Sequence, residues 1–461
     1  MSIKLALPPV DDRYQKLSRS GCFPPIGLLS IAAYVEKHLP HTEIEVLDGE
    51  LLSQDDILSR IGADIVGVSV SILSYHNAVE IAKEAKAVGA TVIFGGHHAT
   101  AMPEKILLNR PEVDFVICDD GEIPMTRLLT GEKKESIPNL VYRNDATIVR
   151  NPSVNTSLDL LPMPSRRFID LQSYWNNWQQ QNPNKPFKRP TSIYSQKGCS
   201  WRDKTGGCVF CGRMDMGWRG RSTKKVWDEI EYLAQEYGID YIWEVCDTVA
   251  SDKQWFAQFA ADKPTHLNPA FLFYARVDEI TAETVEQLKY VNGYEVFLGV
   301  ESGDATMMKN AIKGTSVRRN LYAAELLRDN GIKVFPSFVL GLQGESYESL
   351  EHSIQHAHQL LQLGNVDVMA VSILMPLPGS KSLDMLLAVP EMKEKYGDTD
   401  DFELEELQTD WVRHFCKADF SAIQEARDQM LEGVSVKSGY NRKAMTISVP
   451  FNVNSLVCNN I

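Results

Sequence analysis

Two successive series of short apolar runs, each run followed by an amphipathic stretch, dominate this 461-residue sequence and leave it few ways to fold. In the first series the runs Ile3–Leu7, Glu43–Leu47, Ile65–Val70, Thr91–Phe94 and Phe115–Cys118 read as strands. Between and after them Ile26–His38, Gln54–Ile61, Asn77–Val88, Pro103–Asn109 and Ile123–Leu129 carry helical periodicity. Strands alternating with helices predict a doubly wound parallel sheet over residues 1–135, in which ligands sit at the carboxyl ends of the strands.

Residues 136–184 read as a hairpin followed by a linker. The hairpin spans Asn139 to Arg150 with Asn144-Asp145 at its turn, and a Pro-, Ser- and Asn-rich stretch then runs from Asn151 to Pro164. The second series fills residues 185–385. Its strand candidates are Ser192–Gln196, Tyr241–Val245, Phe271–Ala275, Glu295–Val300, Lys333–Leu340 and Val368–Leu374. Helices are expected over Lys225–Tyr237, Ala282–Val291, Asn320–Asn330 and Tyr347–Leu361. Six strand–helix units predict a partial parallel barrel, (β/α)6 in plan, with its chemistry in the loops at the carboxyl ends. A small C-terminal region, 386–461, begins acidic and then carries Trp411, His414, Phe415 and Cys416.

The cysteines are placed unevenly. Cys199, Cys208 and Cys211 fall within one short segment, while Cys22, Cys118, Cys246, Cys416 and Cys458 are scattered and read as small buried hydrophobes. A cluster of thiols in a chain this long points to metal rather than to a disulfide framework. Three thiolates suit three irons of a cubane with the fourth iron open. Zinc is the alternative, but structural zinc takes four ligands and no histidine stands near this segment. The position just past the first barrel strand is where an active site belongs.

Composition adds exclusions. The formal net charge of −14 argues against a nucleic-acid binder, which needs a basic face. No apolar run approaches the ~20 residues of a membrane span. The N-terminal Met-Ser-Ile-Lys-Leu-Ala-Leu-Pro-Pro lacks the plan of a secretion signal, so a cytoplasmic location is expected.

The motifs carry a resemblance. Gly198-Cys199 followed by Gly207-Cys208-Val209-Phe210-Cys211 resembles the cluster loop of the radical S-adenosylmethionine (SAM) superfamily, including the aromatic residue before the last cysteine. The family's usual spacing is C-x3-C-x2-C, whereas this chain has C-x8-C-x2-C, with Ser200 to Gly207 inserted in the first gap. Leu298-Gly299-Val300-Glu301-Ser302-Gly303 resembles the family's GxES segment, Phe338–Ser346 its GLPGET segment with Gln343 in place of proline, and Met375–Ser380 its PxPGT turn. The resemblance implies a 4Fe-4S cluster on Cys199, Cys208 and Cys211, and SAM held near Phe210, Arg276, Glu301 and Ser302. It further implies reductive cleavage of SAM to methionine and a deoxyadenosyl radical, with an external electron donor such as flavodoxin or ferredoxin. In the first domain, Phe23–Leu29 and Phe94–Thr100 resemble the flavodoxin-like cobalamin-binding domains fused to such barrels. Ser69, Ser71, Gly95, Gly96 and His97 are the residues expected to meet cobalamin; the alternative is a doubly wound domain with ordinary turns. The Asp-x-His-x-x-Gly cobalt-ligand motif is absent from the sequence.

Two reactions on a small-molecule or peptide substrate follow from the resemblance. One is cobalamin-dependent methylation of an unactivated carbon. The other is epimerisation of residues in a ribosomal peptide, as in proteusin-type epimerases, which needs a thiol hydrogen donor; Cys416 and Cys246 are the expected donors. A zinc-stabilised binding protein is the reading outside this chemistry.

Overall fold

The computed structural model describes residues 1–17, 21–215 and 217–438; Cys458 lies outside them. The chain forms two compact units. Among the described residues, one comprises 1–186 together with Glu394–Phe402, and the other comprises 187–393 together with 403–438.

In the first unit, strands β1 (Ser2–Leu7), β2 (Glu43–Asp48), β3 (Ile65–Ser69), β4 (Thr91–Gly95) and β5 (Phe115–Ile117) pair in parallel in the order 2-1-3-4-5. The alternation predicts a doubly wound parallel sheet, and this order is the flavodoxin-like one that the resemblance implies. The antiparallel hairpin β6 (Leu140–Asn144) and β7 (Thr147–Arg150) extends the β5 edge. Asp145 turns it at φ 52°, in the left-handed region that Asp tolerates. The strands are buried on both faces, which is why they read as near-continuous apolar runs. Ile3, Leu5 and Leu7 pack with Leu28, Leu29 and Ala32 of the helix Ile26–His38.

The second unit is a six-stranded parallel sheet. Its strands are β8 (Pro190–Ile193), β11 (Tyr241–Glu244), β12 (Ala270–Arg276), β13 (Gly293–Glu301), β14 (Lys333–Leu340) and β15 (Ala370–Ile373), in sequential order. Two short strands, β9 (Gln196–Lys197) and β10 (Arg219–Gly220), pair antiparallel and close the base of the cysteine loop. Alternation sorts the side chains of β12. Phe271 and Phe273 meet the helix residues Trp227 and Phe256, so Tyr274 and Arg276 lie on the opposite, concave face. There Trp243, Tyr274, Phe297 and Phe335 form a ladder of rings from β11 to β14, with successive centroids 4.8 to 6.0 Å apart. Helices that return along the outside open on capping side chains: Asp252, Thr281, Asp304, Ser316, Ser346 and Ser380 each accept from a first-turn backbone N–H.

Candidate functional site

The cysteine loop leaves the carboxyl end of β8 and folds onto itself. Gly198 has φ 89°, and a Cβ there would lie 3.0 Å from the Gly217 carbonyl. The inserted residues form a helix, Ser200–Thr205, stopped by Gly206 at φ 75°. Gly207, at φ 89°, then lays the backbone against the stem of Arg202. The eight-residue gap is therefore one extra helical excursion between the first two cysteines.

Three residues of that helix, Trp201, Arg202 and Asp203, are anchored differently. Trp201 Nε1 donates to the Ile312 carbonyl at 2.8 Å, and Arg276 sits over the indole, 4.6 Å from its ring centroid. Asp203 accepts from the backbone of Gly217 and Trp218 at 2.8 and 3.1 Å. Arg202 Nη2 lies 3.4 Å from Cys211 Sγ, while its Nη1 donates to the Asp215 carbonyl and reaches Asp247 Oδ2 at 3.4 Å. Arg213 Nε is 2.8 Å from Asp247 Oδ1. The turn after β15 backs the loop: Lys381 Nζ donates to the Thr205 and Gly207 carbonyls at 3.0 and 2.9 Å, and Ser382 N donates to the Val209 carbonyl.

Cys199, Cys208 and Cys211 are free thiols, all half-buried. Burial, with Asp247 nearby, pushes the Cys199 thiol up, and burial pushes the Cys208 thiol up to about 11. Burial opposes the charge of Arg202, but Cys211, Asp247 and Cys199 outweigh it and hold the guanidinium above its ordinary range. Lys313 behaves alike: burial opposes its charge, and Glu301 and Cys208 outweigh that. Arg202 thus stands beside Cys211, and Lys313 and Arg276 act electrostatically on Cys208. Among the described residues no three His, Cys, Asp or Glu side chains gather around a point as ligands of one metal ion. A cubane asks for something else, one thiolate on each of three irons. Three thiols on one loop with cationic neighbours fit that donor set.

The other expected SAM-side residues sit at the same strand ends. Glu301 ends β13 at φ 64°, after a register shift that leaves Val300 as the extra residue of a bulge. Its carboxylate is 2.6 Å from Lys313 Nζ, and both side chains are buried. Gly299 makes that pair possible, because a Cβ there would sit 2.6 Å from Lys313 Nζ. Arg276 donates to the Lys313 carbonyl at 2.7 Å and pairs with Asp278 at 3.0 Å. The Ser302 hydroxyl lies 3.1 Å from Ser353 Oγ and accepts from Asp304 N, so it serves the loop itself. Phe210 is half-buried between the last two cysteines. Sequence reasoning missed Arg202, Asp247 and Lys313; the flanking glycines Gly207 and Gly299 were the available signal.

The two other cysteines singled out above differ. Cys246 has no exposed surface, and its backbone N donates to Glu244 Oε2, whose other carboxylate oxygen accepts from Ser195 N. Cys416 is half-buried, with Sγ 3.4 Å from the Gly341 carbonyl just past the end of β14.

In the first unit the small residues meet at the carboxyl ends of β3 and β4. Gly96 has φ 88°, and a Cβ there would lie 2.8 Å from Val70 N and 3.2 Å from Ser69 Oγ. The close approach this glycine allows is therefore between two loops of the protein. Gly95 has only the Ile117 carbonyl near its would-be Cβ, at 3.6 Å. Ser71 is buried and shares a hydrogen bond with Ser74. His97 begins the short helix after Gly96 and is half-buried. His98 is buried against the Tyr75 ring, its Nε2 2.8 Å from the Asp400 carbonyl. Asp400 belongs to the segment Glu394–Phe402, which returns from the second unit's stretch of sequence. Its carboxylate accepts from Tyr75, from Arg110 Nε at 2.6 Å and from Asn109 at 3.0 Å.

Comparison with known proteins places both units. Residues 16–129 match the B12 binding domain and residues 193–357 match the radical SAM superfamily. An uncharacterized methyltransferase of Pyrococcus horikoshii is 26% identical over 407 residues, covering 84% of this chain and 83% of that protein. The fold is that of TsrM from Kitasatospora setae, a radical SAM methyltransferase solved with cobalamin and a [4Fe-4S] cluster. The TM-score is 0.66 at 19% identity, over 84% of this chain and 75% of that one. It is also that of the cobalamin-dependent radical SAM enzyme OxsB, at TM-score 0.64 and 16% identity over 95% of this chain. This chain spans 62% of the length of OxsB.

Proposed function

Because the chain belongs to the radical SAM superfamily and carries a B12-binding domain before its barrel in sequence, we propose that it is a cobalamin-dependent radical methyltransferase acting on an unactivated carbon. The observation that carries this reading is the union of those two domains in one chain, with three thiols at the end of the barrel's first strand. Methyltransferase names among similar proteins support it. The substrate is a small molecule or a peptide, and the electron donor is an external low-potential protein of the flavodoxin or ferredoxin class.

When bound, the cluster supplies a low-potential electron to SAM and the cobalamin supplies a carrier for a methyl group. Cys199, Cys208 and Cys211 would hold three irons and leave the fourth open to SAM. Arg276 and the Glu301–Lys313 pair set the charge on the neighbouring strand ends, with Phe210 on the loop beside them. Trp243, Tyr274 and Phe297 line the concave face with rings that exclude water from a radical. In the first unit, Ser69, Ser71, Gly95, Gly96 and His97 border the strand ends where cobalamin would lie.

Epimerisation of a peptide is the second reading, and the place of Cys416 favours it. A thiol at the carboxyl end of β14 is on the catalytic face of such a barrel, whereas Cys246 is sealed. One experiment separates the two. The reconstituted enzyme is incubated in deuterated water with trideuteromethyl-SAM and a metabolite and peptide extract of its source. Methylation yields a product that gains a trideuteromethyl group and needs added cobalamin. A product that gains one solvent deuterium and no methyl, and is lost in Cys416→Ala, would replace methylation by epimerisation.

A further inference from the structure

The inserted helix between the first two cysteines has no counterpart in the usual C-x3-C spacing, and it delivers one charged side chain to the thiols. Arg202 is 5% exposed, and Gly207 lies against its stem, where a Cβ would be 3.3 Å from Arg202 Cγ. Its donors divide between the Asp215 carbonyl, Asp247 and the sulfur of Cys211. Asp247 in turn is shared with Arg213 at 2.8 Å. The helix is fixed from several sides at once, by Trp201 to Ile312, by Asp203 to the backbone of 217 and 218, and by Lys381 to the carbonyls of 205 and 207. Such anchoring fixes a side chain's position far more tightly than an eight-residue loop would.

We propose that the insert exists to place Arg202 against the Cys211 sulfur, where it raises the reduction potential of the cluster. A cluster gains one negative charge when it accepts an electron. A donor N–H and a positive charge on a ligand sulfur favour that reduced state, and more so in a buried site where water does not screen them. No bond forms or breaks in the step: one electron passes from a low-potential one-electron donor, such as dithionite or a reduced viologen, to the oxidised cluster. Asp247 works in the opposite sense, holding the guanidinium while offsetting part of its charge. Arg202 is thus a positioning and tuning residue that acts through Cys211.

The inference rests on the cluster assignment and is independent of methyl transfer. Its test is a potentiometric titration of anaerobically reconstituted full-length protein, followed by electron paramagnetic resonance of the reduced cluster. Arg202→Gln is expected to lower the midpoint potential, Arg202→Lys to lower it less, and Asp247→Asn to raise it. Asp203→Asn, which loosens the helix without touching a thiol, is expected to lower iron content while the remaining clusters keep a potential closer to wild type than those of Arg202→Gln. An Arg202→Gln protein with full iron content and an unmoved potential overturns the proposal. Should that variant hold no iron, Asp247→Asn decides, and a potential at or below wild type overturns it. A wild-type protein without an iron–sulfur spectrum defeats this inference and the cluster assignment together.

Discussion

Lys313 Nζ lies 2.6 Å from Glu301 Oε1 in a buried pair, and the residue that clears space for it, Gly299, is two positions before the glutamate. A buried ion pair tolerates loss of both charges better than loss of one. Lys313→Met is therefore expected to destabilise the second unit by about 3 to 5 kcal/mol, and Glu301→Gln combined with Lys313→Met by clearly less. Thermal unfolding of the two variants side by side checks the order. Gly299→Ala forces the lysine aside and is expected to cost roughly 1–3 kcal/mol.

Gly314 stands at φ 71° where a Cβ would overlap the Trp201 ring. Gly314→Ala is expected to lift the inserted helix from its seat and to lower the iron retained per chain after anaerobic reconstitution. Adding Trp201→Ala to it removes the clash and is expected to restore part of the iron. Iron and sulfide analysis of the single and double variants reads this directly.

Much of this architecture is legible in the sequence, and the reasons are physical. Parallel strands buried on both faces must be apolar throughout, so Ile3–Leu7 or Lys333–Leu340 stand out unaided. The cysteine loop is legible because its three thiols stand in one short segment, apart from the scattered cysteines. The insert's helix, the Asp247 bridge between Arg202 and Arg213, and the pairing of Lys313 with Glu301 are not legible. A charged residue reads by default as solvated, and in two of these contacts, Asp247 with Arg202 and with Arg213, the partners lie more than thirty positions apart in the chain. The return of Glu394–Phe402 to the first unit is hidden for the same reason: the acidic stretch around Asp400 looks like surface until Tyr75, Asn109 and Arg110 are brought to it.

Asp400→Ala leaves Arg110 and Tyr75 without their carboxylate. The expected cost is about 3 kcal/mol to the first unit, with faster proteolysis near residues 394–402. Asp400→Asn keeps the shape and loses the charge, and its cost is expected to be smaller. Calorimetry and limited proteolysis of the full-length protein test both.

Burial lowers the pKa of His98 from 6.5 to about 4. Between those values the unfolded chain binds a proton that the folded chain refuses, so stability rises with pH across this window and falls on acidification. The swing is of the order of 3 kcal/mol. Asp400, whose carboxyl is held low by Tyr75 and Arg110 against the opposing effect of burial, adds loss of the same sign at more acidic pH. His98→Gln, which can still donate to the Asp400 carbonyl, is expected to flatten the melting-temperature profile between pH 4 and 6.5.

Reductive cleavage of SAM by a cluster on Cys199, Cys208 and Cys211 needs no substrate to be tested. Anaerobically reconstituted protein is incubated with SAM and dithionite, and 5′-deoxyadenosine is quantified by mass spectrometry. Deoxyadenosine and methionine are expected from the wild type and none above background from Cys199→Ala, Cys208→Ala or Cys211→Ala. Deoxyadenosine formed equally by the alanine variants, or none formed by a wild type that carries its full complement of iron and sulfide, would contradict it.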